Sequence, residues 1–142
     1  METKLLKLGW ELKGKGVYSK DSTVVVVGTQ SVGVYTTTEG FRRVVEFDRK
    51  DARIKNSIPT ACTGIAGLLS AGLALYDLKD ILHMVGNERL SLGYRNYWHA
   101  SGQEKNLDAL VPLGWVDVQP NGKYLTYSAS QKVLDMLGIV LQ

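Results

Sequence analysis

Apolar and polar positions alternate near the start of the chain, where Leu6, Leu8, Trp10 and Leu12 are separated by Lys7, Gly9, Glu11 and Lys13. A period of two predicts a half-buried strand with one wet face, and Gly14-Lys15-Gly16 ends it. Residues 23–27, Thr-Val-Val-Val-Val, are β-branched throughout. They predict a strand that is buried on both faces or lies centrally in a sheet. A turn over 28–31, a return over 32–37, a second turn at Glu39-Gly40 and a further return over 41–47 continue the pattern. Residues 1–55 therefore read as an antiparallel β meander or a small, partly open barrel. Residues 48–55 alternate in charge and read as a solvated connector.

The period then changes. Leu78, Ile81, Leu82 and Val85 fall at i, i+3, i+4 and i+7, which predicts an amphipathic helix over 73–85 closed by Gly86. Residues 87–93 form a turn-rich link, and 94–99 reads as a short second helix or an irregular turn. Leu107, Leu110 and Val111 mark a third helix over 103–112. It ends at Pro112, which cannot bond back to Asp108, and at Gly114. Asn121-Gly122 predicts a type I′ hairpin with these two residues at its centre. That turn pairs Val118 with Leu125 and Val116 with Tyr127 on one face, and Asp117 with Thr126 and Gln119 with Tyr124 on the other. Ser128 and Gln131 have the spacing of a capping box, followed by a last helix with a stripe of Val133, Leu134 and Leu137, closed by Gly138.

Between the two patterns, residues 56–76 contain no charged residue over 21 positions. That is long enough to cross a bilayer. However, Asn56, Ser57, Thr60, Thr63 and Ser70, with glycines at 64, 67 and 72, dilute its hydrophobicity, and Pro59 prevents a helix from continuing upstream. A buried, small-residue core segment is expected, with no membrane span. The organisation is thus a β-rich unit (1–55), an uncharged connecting core segment (56–72) and a C-terminal unit (73–142).

Composition confirms an ordered chain and adds an asymmetry. The 142 residues are 44% hydrophobic and 22% charged, values of a folded globular protein, and the run of strands followed by helices makes its expected class α+β. The net charge of +3 is unevenly spread: residues 1–76 carry 11 Lys/Arg against 7 Asp/Glu, and residues 77–142 carry 6 against 7. A single cysteine, Cys62, excludes an intramolecular disulfide and suits a reducing compartment. Met1-Glu2-Thr3-Lys4 carries no basic leader and no early apolar run follows, so a cytoplasmic location is expected.

Residues 107–116, Leu-Asp-Ala-Leu-Val-Pro-Leu-Gly-Trp-Val, join a leucine-rich helix to an apolar strand through glycine. Residues 124–128, Tyr-Leu-Thr-Tyr-Ser, precede the last helix, and 94–98, Tyr-Arg-Asn-Tyr-Trp, lie upstream. With the order helix, helical turn, helix, hairpin, helix, these segments resemble a winged helix-turn-helix domain over residues 73–140, and are similar to small uncharacterised phage-encoded winged-helix proteins. The resemblance implies a winged-helix-like unit, a location in the host cytoplasm, and a job that ranges over DNA binding, RNA binding and protein docking. It places the 103–112 helix where many such domains enter a major groove. Gln103 and Asn106 would then read base edges and Lys105 would meet phosphate, with Arg89, Arg95, His99 and Lys123 as a basic border. Glu104 and Asp108 oppose that role, because phosphates repel carboxylates.

The first half offers a second candidate surface. Lys4, Lys7, Lys13, Lys15 and Lys20 recur along the first strands, with Trp10, Tyr18, Tyr35 and Phe41 nearby. A basic sheet carrying aromatics is one way to hold single-stranded nucleic acid. The plainer alternative makes Trp10 a core residue and the lysines guards of an edge strand.

Enzyme chemistry finds little in the chain. No glycine-rich loop ends in Lys-Ser/Thr, and Gly28-Thr-Gln-Ser-Val-Gly33 is a hairpin turn because a strand follows it. His83, His99 and Cys62 are too few for a structural zinc site. His83 reads as a boundary residue of its helix, and a Cys62–histidine dyad stays open. No catalytic residue, metal or cofactor is implied. The leading expectation is a non-enzymatic nucleic-acid-binding regulator or accessory factor that contacts its ligand through Lys7, Lys13, Lys15, Arg95, Gln103, Lys105, Asn106 and Lys123. The alternative is a viral protein-interaction module, of structural, assembly or host-antagonist type, that docks a protein or a second copy of itself. A basic patch joining the N-terminal lysines to Arg95 and Lys123 would favour the first. Exposure of Trp98, Trp115 or the 61–75 segment would favour the second.

Overall fold

The computed structural model describes residues 1–51, 54, 56–86, 95–100 and 104–140. The chain begins with a helix, α1 (Glu2–Lys7), and not with the expected strand. The period-2 reading left out Leu5, which is completely buried, while Leu6 and Leu8 are exposed. Glu2 in the first turn and Lys7 in the last suit the helix dipole. Gly9, at φ +94°, ends the helix, and Trp10 N–H closes back on the Leu5 carbonyl at 3.0 Å. This left-handed exit turns Trp10 into the core, as the plainer alternative expected. Its indole N–H donates to the Thr63 hydroxyl at 2.9 Å.

Five antiparallel strands follow: β1 (Glu11–Gly14), β2 (Val17–Lys20), β3 (Thr23–Val27), β4 (Ser31–Thr36) and β5 (Arg42–Asp48). They lie side by side in chain order, so the sheet is an open meander and the barrel alternative is not realised. The valine-rich β3 is its central strand. The register aligns Tyr18, Val25, Val34 and Val45 across four strands, and all four are buried. The opposite face carries Val24, Tyr35 and Arg43 in one aligned row.

The inner face is covered by α2 (Ile58–Ser70), which packs on β3, and by α3 (Leu75–Met84), which packs on β5. Pro59 sits in the first turn of α2, where a missing N–H costs nothing. The uncharged segment is thus a core helix: Ile58, Ala61, Cys62, Ile65, Ala66, Leu68 and Leu69 are all buried. Among the described residues no helix is long and apolar enough to cross a membrane. On α3 the expected stripe of Leu78, Ile81 and Leu82, with Val85 just beyond, is fully buried. The last helix, α5 (Gln131–Leu137), lies against α2. At Gly64 a Cβ would overlap the Met136 carbonyl, so glycine sets how closely these helices approach. One core cluster runs from Leu5 through both helices to Ile139.

The C-terminal part adds a second sheet. Its strands are β6 (Trp98–Ala100), β7 (Val116–Asn121) and β8 (Tyr124–Ala129), in the order β6-β8-β7, and α4 (Lys105–Leu110) precedes the hairpin. Three expectations are corrected here. The described part of the 94–99 segment is not a helix: residues 95–97 carry no regular structure, and Trp98, His99 and Ala100 form a strand that pairs with Tyr127, Thr126 and Leu125. The Asn96 side chain supports this pairing by bonding both the carbonyl (3.0 Å) and the N–H (2.7 Å) of Ala129.

The hairpin turn is displaced by one residue. Asn121 pairs with Tyr124 and Val118 with Tyr127, leaving Gly122 and Lys123 as the central residues. Gly122 has φ +63°, and Asp21 is the one non-glycine residue at positive φ among those described. This is the glycine-first pattern of a type II′ turn, not type I′. Pro120 gives the reason. A type I′ turn centred on Asn121-Gly122 would make Pro120 half of the hydrogen-bonded closing pair, a place for an N–H it lacks. In the observed register Pro120 faces Leu125 at the next, non-hydrogen-bonded pair, on an edge strand. The two-residue slip in pairing changes partners but keeps each side chain on its expected face.

The capping box is also absent. Ser128 belongs to β8 and pairs with Asp117. Ser130 is the residue before α5, and its hydroxyl donates to the Gly114 carbonyl at 2.6 Å. Gln131 bonds Asp135 instead. The sheet continues two residues further than the serine spacing suggested. The remaining features of this part follow the sequence: Leu107, Leu110, Val133, Leu134 and Leu137 are buried, and Gly138 closes α5 in the left-handed region. The 87–93 link lies outside the described residues.

Candidate functional site

Tyr127 positions the surface around α4. It is fully buried, and its hydroxyl donates to an Asp108 carboxylate oxygen at 2.7 Å while accepting the Glu104 N–H at 3.1 Å. One side chain of β8 thereby fixes both the start and the middle of α4. α4 spans 6 residues, about 9 Å of helix at 1.5 Å per residue. That is shorter than the expected 103–112 helix.

Between α3, β6 and α4 lies a cleft of about 230 Å³, lined by Tyr76, Asp80, His83, Met84, Trp98, Glu104, Asn106 and Leu107. Met84 and Leu107 are buried. Tyr76 and Trp98 remain 60% and 37% exposed at its sides. Asn106 donates from its amide to the Tyr76 hydroxyl at 3.3 Å. The Trp98 ring meets His83 edge-on, with centroids 5.0 Å apart. Arg95 packs behind: its guanidinium reaches His83 Nε2 at 3.3 Å and the His83 carbonyl at 3.2 Å, and lies over the Tyr97 ring.

The local charge is negative. Burial raises the Asp80 carboxyl above its ordinary range, the Asp77 carboxylate raises it further, His83 offsets part of this, and Glu104 adds to it. Asp77 is raised too, by burial and then by Glu39. Glu39 also accepts the Leu75 N–H at 2.9 Å, at the start of α3. Four carboxylates, Asp77, Asp80, Glu104 and Asp108, thus stand on α3 and around α4.

The sequence-derived contact residues divide between separate places. Lys13 and Lys15 come together at an open hollow beside β1 and β2, with Glu2, Leu12 and Tyr18. Lys13 is already paired with Glu11 at 3.1 Å, both well exposed. Lys7 ends α1, not a strand, and is exposed. Lys105 begins α4 and Lys123 sits in the hairpin tip, both exposed. Asn106 lines the cleft, and Arg95 reaches it through His83. Gln103 and Arg89 lie outside the described residues. Of the aromatics proposed for a stacking sheet, Trp10 and Tyr18 are core. Tyr35 and Phe41 do stack, with centroids 4.8 Å apart and rings 9° from parallel. Trp115 is half-buried beneath Lys132, whose Nζ is 3.8 Å from the ring centroid. Cys62 is buried in α2, and desolvation, partly offset by a backbone hydrogen bond, pushes its thiol up to about 12. It stays protonated near neutrality and lacks the thiolate a nucleophile needs.

Sequence reasoning missed the cleft because its members come from three elements spread over residues 76–107. Tyr76, Asp80 and His83 do share i, i+4 and i+7 spacing, opposite the apolar stripe of α3, and that was the available signal.

No protein-family model, curated protein or solved structure matches the chain.

Proposed function

We propose that this chain is a small protein-docking module whose contact surface is centred on α4, the cleft beside it and Trp98. The observation that carries this reading is the chemistry of that cleft: exposed aromatic side chains and carboxylates line the same hollow. Interfaces are enriched in tyrosine and tryptophan, which supply large contact area at little conformational cost. A DNA backbone would meet Asp80, Glu104 and Asp108 here, and phosphates are repelled by carboxylates. The order of strand, short helix, hairpin and helix over residues 98–137 supports a winged-helix-like scaffold for this surface.

Nucleic-acid binding is a second reading, and one observation favours it on the other side of the molecule. Half-buried Tyr35, paired with Arg43 across the sheet, stacks on exposed Phe41, a face able to stack bases. Arg43 is already bridged to Glu46 at 3.1 Å, as Lys13 is to Glu11, which lowers the charge left for phosphate.

A peptide-display selection run in parallel on the parent and on Trp98→Ala tests the docking reading. Sequences that enrich on the parent and are lost on the variant are expected. No enrichment, or equal enrichment on both, overturns it.

A further inference from the structure

The cleft has a size and a lining that specify more than a partner class. At about 230 Å³ it falls below the roughly 300–1,000 Å³ of pockets that take drug-sized ligands. It suits the head of one side chain. Its sides are aromatic, Tyr76 from α3 and Trp98 from β6. Asp80 lines it from α3 and Glu104 from the residue before α4, and Met84 and Leu107 supply apolar surface. We propose that this cleft receives the guanidinium of an arginine side chain from a protein partner, a proposal that rests on the docking reading above.

Three comparisons select this occupant. A metal ion needs a tighter ligand set, and among the described residues no group of three or more His, Cys, Asp and Glu is placed to hold one. A phosphate would face Asp80 and Glu104, with His83 the one basic side chain among the described lining residues. Arg95 stands behind His83, held at its carbonyl, and Lys105 is exposed and lies outside the lining. A lysine ammonium is a strongly hydrated point charge. A guanidinium is planar, weakly hydrated, stacks on aromatic rings and offers a fork to carboxylates, so it uses both kinds of wall at once. Tyr76 and Asp80 share α3, and Glu104 at the start of α4 is held beside them by its bond to Tyr127 and by the Asn106–Tyr76 bond.

The test is a titration of the isotope-labelled protein with N-acetyl-L-arginine amide, followed at the Trp98 indole and the Asn106 side-chain amide. Saturable shifts at both are expected. N-acetyl-L-citrulline amide, the neutral near-isostere, should bind about ten-fold more weakly or worse, and the lysine amide should bind more weakly than the arginine amide. Glu104→Gln and Trp98→Ala, both exposed positions, should each weaken arginine amide by several-fold. Absence of saturable shifts at the cleft overturns the proposal, as does equal binding of citrulline amide or tighter binding of lysine amide. The two readings fail separately. Selected peptides that need Trp98 but contain no arginine would leave the docking module and remove the arginine. Arginine amide binding with no enriched peptide would leave the cleft's preference for guanidinium and remove the docking module.

Discussion

Two hollows among the described residues are opposites. The one beside β1 and β2 is rimmed by Lys13 and Lys15, in the half of the chain that carries the positive charge. The other, between α3, β6 and α4, is walled by Tyr76 and Trp98 and lined by Asp80 and Glu104. Charge counted along the sequence points to the first. Shape and side-chain chemistry point to the second, because it is the more enclosed of the two and sets aromatic side chains beside its charges. Lysines on a two-strand edge, one of them already paired with Glu11, interact with a partner largely through screened charge. The comparison teaches that a local excess of one sign is weak evidence for a site until the fold shows what stands beside it.

The largest expected effect asks whether the two regions are one cooperative structure. Gly64→Val would drive a branched side chain into the Met136 carbonyl where α2 crosses α5. A loss of at least about 1–3 kcal/mol is expected from overpacking. In chemical denaturation of this variant, signals from Val25 in the large sheet and Tyr127 in the small one should disappear together. Separate midpoints would mean that the two hollows belong to independent units.

A second change should touch one hollow and spare the other. Tyr127→Phe removes the hydroxyl that ties the Glu104 N–H to the Asp108 carboxylate, leaving two part-buried groups to turn to water at a cost of about 1 kcal/mol. Faster hydrogen exchange at the start of α4, with unchanged exchange in β1 and β2, is the expected pattern.

The smallest effect concerns the cost of the acidic cleft itself. Asp80 holds its proton more tightly when folded than the ordinary value of 3.8 allows. Stability from this group is therefore full below the unfolded value and lost as pH rises through the folded one. Asp80→Asn should stabilise the protein slightly at neutral pH, by less than about 1 kcal/mol because the group is partly exposed. The difference from the parent should vanish as pH falls through the carboxylate range. A stabilising substitution that also weakens arginine amide would show the exchange of stability for binding common at functional sites.

The two regions were also unequally legible in the sequence. The meander announced itself through β-branched runs and short turns, and α3 through the spacing of Leu78, Ile81, Leu82 and Val85. Both patterns are local and periodic, so one sequence suffices. The errors arose where one residue outweighed a pattern. Leu5 and Gly9 made a helix and its exit out of an apparent alternation. Pro120 moved the hairpin turn by one residue through the N–H it lacks. Asn96, through two bonds to Ala129, supports a three-residue strand too short to read from periodicity. The cleft was least legible, since Trp98, Asp80 and Glu104 meet only after those local choices are made. The sequence reading did single out residues on that side, Asn106 and Arg95 for nucleic acid and Trp98 for a protein partner.

The central claim is that the surface around α4 is built for a cation and not for phosphate. Its most direct test is an amide chemical-shift map of the labelled protein with a short DNA duplex, and again with a single strand, near 50 mM salt, a condition at which phosphate contacts are strong. The account predicts that Lys105, Asn106 and the Trp98 indole stay unmoved, and that any shifts fall near Lys13, Lys15 or the Tyr35–Phe41 stack and fade as salt rises. Saturable shifts led by α4 and the hairpin tip at Lys123, with affinity falling steeply as salt is added, would contradict it.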